Sequence, residues 1–425
     1  MPQVDFGKIT LLTGANSTGK SSLMYGVLGV LQGNSYPYTF SVNGRYVNMG
    51  NFLEMVSNHD ENKVMAISHT FVDSKSNISY SIKTEWEKDN VGNPRFLSCE
   101  CRCEYFYYLL KKGIDENLYL SIDYEPAKNP NSRKMQELLS SISEEDAELK
   151  NIVEFLKYSS EEVHIKEALF PVADGNWDEI DNKTKNSHLL LYREILSVLA
   201  TYNKSINYIS SYRQPAQRFY TEKKASQEKI EPSGEGFINE LLTWRDSDKD
   251  KFDTFVQSMR SIGILADVVP ARTGEGQFKV NIRAHENDKE VNLSDAGFGI
   301  SQFVPVVIGD VELGKDSTLY VSQPEVHLHP KAQANFGDYL VRQTKQDKRY
   351  VIETHSEYLL NRLRLAIVKG ELLEDDVKTY YISQENGKTK LSAISFNKRG
   401  QITGAPQDFF DTYMIDVMDI AMNAE

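Results

Sequence analysis

The chain has 425 residues, of which 40% are hydrophobic and 26% charged, proportions that are ordinary for a folded globular protein. Its net charge of -13 means that the surface as a whole repels nucleic acid, so that a DNA or RNA contact would need a local basic patch. No apolar run approaches the ~20 residues of a membrane span and no secretory signal is evident, so we expect a cytoplasmic protein without a membrane segment.

The first predicted unit is a strand, a loop and a helix within residues 8–31. The loop GANSTGKSS, from Gly14 to Ser22, matches the GxxxxGK[ST] phosphate loop and follows an apolar strand, which is the context that the motif requires. Lys20 would reach the β and γ phosphates of ATP, and Ser21 would bind Mg²⁺ as the metal ligand. The predicted contacts to the nucleotide are Asn16, Ser17, Thr18, Gly19, Lys20, Ser21 and Ser22.

The middle of the chain predicts two further parts. Residues 64–108 alternate apolar and polar side chains, which is typical of an antiparallel sheet. Within them Cys99, Cys101 and Cys103 occupy alternate positions and indicate a buried strand face rather than a zinc site. Residues 132–205 are rich in Glu, Lys and Leu at helical spacing, and they predict an inserted helical lobe.

After residue 208 the pattern returns to strands that alternate with helices. The segments STLYVS, RYVIET and VKTYYIS predict three short strands of a mainly parallel sheet. The sequence therefore predicts an α/β fold: a mainly parallel sheet with helices, an antiparallel β lobe and the helical insertion. We expect residues 1–130 and 208–425 to form the two parts of one head, with residues 131–207 inserted between them.

The segment NLSDAGFGISQ, residues 292–302, is a turn of small residues that opens into an apolar helix. It resembles the signature segment of ABC-type ATPases, in which a serine and a helix N-terminus of one subunit contact the γ-phosphate held by the other. The resemblance implies that Ser294 makes this contact and that Gly297 and Gly299 allow close approach. Ser301 is the competing assignment.

Two later segments extend the resemblance. STLYVSQPEVHLHP occupies the place of the second nucleotide strand, and RYVIETHSEYLLNRLR contains Thr354 and His355 where this class has its switch-histidine loop. Over nearly its whole length the chain resembles the compact ABC/SMC-like AAA-type ATPases of prokaryotes that carry the QPExHLHP and THSExLLNRLR patterns. The resemblance implies an ABC-type P-loop ATPase head.

The same resemblance implies partners and a biological role. Members of this family look like sensor ATPases of anti-phage defence, including Septu-type and retron-associated systems. They imply a homo-oligomer, an ABC-style dimer or larger, that closes around ATP and Mg²⁺ and controls a separate effector protein such as a nuclease. The alternative is a RecF/SMC-like DNA-repair ATPase that binds DNA ends or structures and turns over ATP.

The chain departs from the family pattern at two places. The second nucleotide strand usually ends in an acidic residue followed by Glu or Gln, but this chain has Ser322 and Gln323. A neutral pair offers neither a negative ligand nor a general base, so we expect ATP binding with weak or absent hydrolysis unless Glu325 or Glu353 takes over. The candidate catalytic residues are Gln323, Glu325, His355 and Ser294. The chain also reaches the phosphate loop within 13 residues of Met1, so either an edge strand is missing or the assigned start is late.

Two other clusters have alternative interpretations. His327 and His329 lie beside Glu325 and could bind a metal, although they match the family's inter-subunit loop better. A basic stretch near two aromatic residues is either a solvated or phosphate-side surface or a contact to DNA or RNA. Its members are Arg213, Arg218, Phe219, Tyr220, Lys223 and Lys224.

Overall fold

A computed structural model describes most of the chain in two compact units, Met1–Met24 with Ser205–Glu425 and Tyr25–Lys204. Each unit has its own apolar core. The described residues are 3–33, 36–56, 59–73, 77–125, 128, 163–170, 182–222, 229–274, 276–385, 387–406 and 409, with the backbone alone at 163–170, 182–184 and 186–187. The three-part division that we expect from the sequence stays a prediction.

The elements are numbered in chain order. The strands in the described residues are β1 Ile9–Thr13, β2 Met65–Val72, β3 Ser79–Lys88, β4 Pro94–Arg102, β5 Phe106–Lys112, β6 Leu118–Tyr124, β7 Val163–Phe170, β8 Ile206–Ile209, β9 Tyr220–Thr221, β10 Asp267–Gly274, β11 Gln277–Arg283, β12 Val291–Asn292, β13 Thr318–Ser322, β14 Arg349–Glu353, β15 Val377–Glu385, β16 Lys388–Phe396 and β17 Ile402–Thr403. The helices there are α1 Lys20–Leu31, α2 Phe52–Met55, α3 Asn182–Lys204, α4 Phe237–Ser247, α5 Lys249–Ile262, α6 Phe298–Val311, α7 Pro330–Thr344 and α8 Glu357–Val368.

The first unit contains a seven-stranded sheet in the order β17-β16-β15-β1-β14-β13-β8. The five strands from β15 to β8 pair in parallel, whereas β16 pairs antiparallel with both β15 and β17. This arrangement confirms the predicted mainly parallel sheet. The carboxyl ends of β1, β13 and β14 therefore meet at one edge, which is where ligands bind in open α/β sheets.

Helices and a smaller sheet complete the first unit. Helix α6 is buried from Ser301 to Asp310, as its apolar sequence predicts. Helix α5 begins where the Asp248 side chain accepts a hydrogen bond from the backbone N–H of Lys251, and it ends at Gly263, which has a left-handed φ of 81°. Strands β9 to β12 form a separate antiparallel sheet in which β11 pairs with the other three.

The second unit is built on a six-stranded antiparallel sheet in the order β2-β3-β4-β5-β6-β7. Cys99 and Cys101 on β4 are completely buried, as we predict for a strand face, and Cys103 beyond the strand is half-buried. Helix α3 lies in the stretch that predicts helices. Strand β7 lies in the same stretch but pairs with β6, so that hydrogen bonding to an available sheet edge overrides the local helical pattern there. The predicted α/β class with an antiparallel lobe is confirmed.

None of the described helices combines the length and the apolar character that crossing a membrane requires.

Candidate active site at the carboxyl edge of the parallel sheet

The phosphate loop between β1 and α1 has an unusual backbone. Gly14 and Gly19 have φ angles of 137° and 98°, and Ser17 has a φ of 61°. A Cβ atom on Gly14 would lie 2.0 Å from the carbonyl oxygen of Ile382 on β15. Glycine is therefore required at position 14 by both the dihedral angle and the neighbouring strand.

Lys20 is the first residue of α1 and its side chain turns into the loop. It is 4% exposed, and its Nζ donates hydrogen bonds to the carbonyl oxygens of Gly14 at 3.1 Å and Ala15 at 2.7 Å. Desolvation lowers the pKa of Lys20, and the negative charge of Glu353 acts in the opposite direction. The ammonium group is thus held inside the loop, from where it would reach a bound phosphate.

The other predicted contacts in the loop differ in exposure. Asn16, Ser17 and Ser22 are exposed and Gly19 is half-buried, so all four are accessible to a ligand. Thr18 is instead buried, and its hydroxyl donates to the carbonyl oxygen of Ala15 at 2.9 Å. Thr18 therefore shapes the loop through its side chain.

Two residues near the C-terminal end of the described chain support the loop and were missed by sequence reasoning. The Gln384 amide donates to the carbonyl oxygen of Ser17 at 3.2 Å, and the Thr389 hydroxyl donates to that of Thr18 at 3.4 Å. They lie more than 360 residues away along the chain, so no local motif could have identified them.

A buried carboxylate lies beside the predicted metal ligand. Glu353 ends β14 and is 5% exposed. Its oxygens accept hydrogen bonds from the Ser21 hydroxyl at 2.9 and 3.1 Å and from the Ser322 hydroxyl at 3.2 Å. The structure thus joins α1, β13 and β14 through three oxygen-bearing side chains. Hard cations such as Mg²⁺ prefer an oxygen donor set of this kind, and the residues present fit the ion.

Arg213 is predicted to lie in a basic surface stretch, but the structure buries it. It is 2% exposed and donates to the carbonyl oxygens of Ser322 at 2.7 Å, Gln323 at 3.0 Å and Gln302 at 3.1 Å. Burial lowers the pKa of Arg213 to about 10, and the charge of Glu325 opposes that shift. Arg213 therefore belongs neither to a solvated or phosphate-side surface nor to a contact with DNA or RNA, because its guanidinium is hydrogen-bonded to backbone carbonyls inside the unit.

Two catalytic candidates are brought together after the strand ends. A Glu325 carboxylate oxygen, Oε1, accepts a hydrogen bond from the backbone N–H of His355 at 2.6 Å. Oε2 of the same carboxylate is buried and has no hydrogen-bond partner in the described part of the chain. The His355 side chain is exposed. Gln323, with a left-handed φ of 49°, donates its backbone N–H to the carbonyl oxygen of Glu353 at 2.7 Å.

The signature-like segment lies on the turn between β12 and α6. Ser294 is half-buried, and its backbone N–H and hydroxyl donate to the side-chain oxygen of Asn292 at 3.0 and 2.8 Å. Ser301 is 3% exposed, and its hydroxyl donates to the carbonyl oxygen of Phe298 within α6. Ser294 is therefore the more accessible of the two serines. No hydrogen bond between described residues joins it to the phosphate loop.

The loop after β13 packs against the start of α6. A Cβ atom on Gly299 would lie 2.3 Å from the carbonyl oxygen of His327, so glycine permits this approach. The His327 ring meets the Phe298 ring edge-on, with 4.9 Å between centroids. The His329 side chain accepts a hydrogen bond from the backbone N–H of Lys331 at 3.3 Å and caps α7. These contacts account for both histidines without a metal.

The rest of the predicted basic stretch is only partly described. Arg218 is exposed and forms an ion pair with Asp295, and Phe219 is 49% exposed. Lys223 and Lys224 lie outside the described residues.

Comparison with known protein families gives one match that spans most of the chain. Residues 2–360 match a family model described as an AAA ATPase domain. The comparison with curated proteins gives no match.

Several solved structures are similar at low identity. An SmcHead bound to the C-winged helix domain of ScpA shares 8% identity, with 92% of this chain and 91% of that chain covered and a TM-score of 0.38. The Smc head domain with an extended coiled coil bound to the C-terminal domain of ScpA, from Pyrococcus furiosus, shares 9% identity at 98% and 93% coverage, with a TM-score of 0.36. The SMC head domain from Thermotoga maritima shares 9% identity at 92% coverage of both chains, with a TM-score of 0.36.

Proposed function

Because this chain belongs to the AAA ATPase domain family, we propose that it is an ABC-type protein that binds ATP with Mg²⁺ and dimerises around the nucleotide. The observation that carries the proposal is the loop around Lys20. Its left-handed residues allow the backbone to turn N–H groups toward an anion, and the N-terminus of α1 adds positive potential. Lys20 supplies a full positive charge at the mouth of α1, which this chemistry needs.

The proposed dimer would complete each nucleotide site with the signature-like turn of the second copy. Ser294 suits this role because it is accessible and lies just before α6, whose first backbone N–H groups could bind the γ-phosphate. A ligand shared between two subunits favours their joined state in proportion to its binding free energy. ATP would thus control the assembly of this protein.

Hydrolysis in this proposal is weak. The second nucleotide strand ends in the neutral Ser322 and Gln323, and one oxygen of Glu325 is already bonded to the backbone of His355. A protein that holds ATP without rapid turnover suits a sensor or regulatory scaffold. The resemblance of its sequence to Septu-type and retron-associated ATPases supports a role in anti-phage defence, with a separate effector protein, such as a nuclease, as the regulated partner.

The proposal is tested by Lys20→Ala with Lys369→Ala, an exposed lysine after α8, as the matched control. A hydrogen-bonded charge contributes about 1.5–3 kcal/mol, so Lys20→Ala should weaken binding of a fluorescent ATP analogue roughly 10- to 100-fold. It should also abolish ATP-dependent dimers in light scattering. Unchanged affinity and self-association in Lys20→Ala would refute the proposal. ATP turnover that is stimulated by DNA would instead favour a RecF/SMC-like repair ATPase.

A further inference from the structure

The Mg²⁺ ion of a nucleotide site needs negative protein charge, and the second nucleotide strand of this chain does not supply it. Mg²⁺ at such sites is usually held through one or two carboxylates together with the substrate phosphates. Strand β13 ends at Ser322, whose hydroxyl is neutral, and the next residue is the neutral Gln323. The carboxylate must therefore come from another element, or the site would bind the ion weakly.

We infer that Glu353, at the end of the neighbouring strand β14, provides the acidic side of the Mg²⁺ site. This inference rests on the proposed function. Strands β13 and β14 are parallel, and their register pairs Ser322 directly with Glu353. Strand β1, which leads into the phosphate loop, pairs its Leu12 with the same glutamate. A carboxylate at this position reaches the same edge of the sheet as one at the end of β13 would.

The contacts of Glu353 direct it toward the metal ligand. Both of its oxygens accept the hydroxyl of Ser21, at 2.9 and 3.1 Å, so the carboxylate lies against the side chain that the motif assigns to Mg²⁺. Ser322, which stands where the acid is missing, also donates to it at 3.2 Å. The glutamate is thus bound to the two positions that define a P-loop metal site.

The charge of Glu353 is balanced locally by two hydroxyl groups and by the nearby charge of Lys20, without a direct ion pair in the described residues. The side chain is 5% exposed, and in the described part of the chain no lysine or arginine forms an ion pair with it. Its two hydroxyl partners are neutral, and the nearby ammonium of Lys20 donates to loop carbonyls instead. A buried carboxylate is costly unless it is paired or coordinates a metal. A divalent cation beside Ser21 would add a direct pairing to the contribution of the nearby Lys20 charge.

Glu325 is the competing carboxylate and fits less well. Its Oε1 accepts the backbone N–H of His355, and its charge acts on Arg213. It has no hydrogen bond to Ser21 within the described residues. Glu325 therefore belongs to the loops that follow the strands. If Glu353 serves the metal, the chain retains Mg²⁺-dependent ATP binding although Gln323 offers no general base.

The test measures how much Mg²⁺ strengthens ATP binding, by titrating a fluorescent ATP analogue with excess Mg²⁺ and with EDTA. Loss of a metal-supporting carboxylate costs about 10- to 100-fold in metal affinity, so Glu353→Gln should reduce the Mg²⁺ enhancement by that factor and leave binding in EDTA unchanged. The matched control is Glu371→Gln, an exposed glutamate after α8, which should behave like wild type. Electron paramagnetic resonance of Mn²⁺ with ATP gives a second readout that does not depend on turnover.

Charge relocation makes the test sharper. Because Ser322 and Glu353 are in register, the double variant Ser322→Asp with Glu353→Gln should restore the Mg²⁺ enhancement. If Glu353→Gln lowers the melting temperature too far for the assay, the Mg²⁺ enhancement is measured in Glu353→Asp and in the double variant, since both keep one carboxylate at the site. An unchanged Mg²⁺ enhancement in Glu353→Gln overturns the inference, as does an equal loss of binding with Mg²⁺ and with EDTA. Failure of the proposed function would look different, because wild type itself would then bind no nucleotide.

Discussion

Replacement of Arg213 by Met is expected to destabilise the first unit strongly. The guanidinium donates to four backbone carbonyls, those of Ser210, Ser322, Gln323 and Gln302. Methionine keeps much of the volume but cannot donate a hydrogen bond to these carbonyls. Each hydrogen bond to a charged group contributes about 1.5–3 kcal/mol, but the four are not additive. The loss of several buried hydrogen bonds to one charged group is therefore expected to lower the free energy of unfolding by about 3–5 kcal/mol.

The assay is chemical denaturation, monitored with a probe that reports on the parallel-sheet unit. Arg218→Met is the matched control. Arg218 is exposed and forms only a surface ion pair with Asp295, so its replacement should change the free energy of unfolding by at most about 1 kcal/mol. Arg213→Lys should restore only part of the lost stability, because an ammonium group cannot reproduce the planar arrangement of donors in a guanidinium. A loss below about 1 kcal/mol in Arg213→Met would refute the buried network.

Three further outcomes are expected. Gly14→Ala should abolish ATP binding, because its Cβ would lie 2.0 Å from a β15 carbonyl oxygen at a φ of 137°, whereas Gly314→Ala, in open space, should bind normally. Gln323→Glu should raise the rate of phosphate release about 100-fold by supplying a general base. An unchanged rate would contradict the proposal that the neutral Gln323 makes hydrolysis weak. Burial raises the pKa of Glu312 from its ordinary value of 4.5 to about 7. The folded state therefore binds more protons between these values, so stability should fall by roughly 1–3 kcal/mol as pH rises through that window. Glu312→Gln should flatten this fall in pH-dependent thermal melts.

The sequence predicts the phosphate loop and the parallel strands because their determinants are local. GANSTGKSS contains its own glycines, and Lys20 and Ser21 need only the adjacent helix to be oriented. The strand β7 is different, since its pairing with β6 depends on an edge that exists only after the antiparallel sheet has formed. Local periodicity carries no record of that partner, so the helical prediction fails at residues 163–170.

Arg213 shows why a basic residue is easily misjudged from sequence. Its neighbourhood, YRQPAQRFY, contains a second arginine and aromatic residues, which together are typical of a nucleic-acid surface. Its acceptors on Ser322 and Gln323 lie about 110 residues away and are backbone atoms, which no side-chain motif records. The burial of Arg213 could therefore be recognised only once β13 is placed beside β8.

The acidic partner of the metal site depends on the same kind of long-range information. In the sequence, Glu353 is 332 residues from Ser21 and is only one of two glutamates that could replace the missing acid. Strand order favours Glu353, because β14 lies between β1 and β13 and its last residue is flanked by both strand ends. The ends of two neighbouring parallel strands lie at the same edge of the sheet. A carboxylate at the end of either strand can therefore serve the same site. A neutral residue at the end of β13 is therefore insufficient evidence that Mg²⁺ binding has been lost, because our inference assigns the acidic side of the Mg²⁺ site to β14.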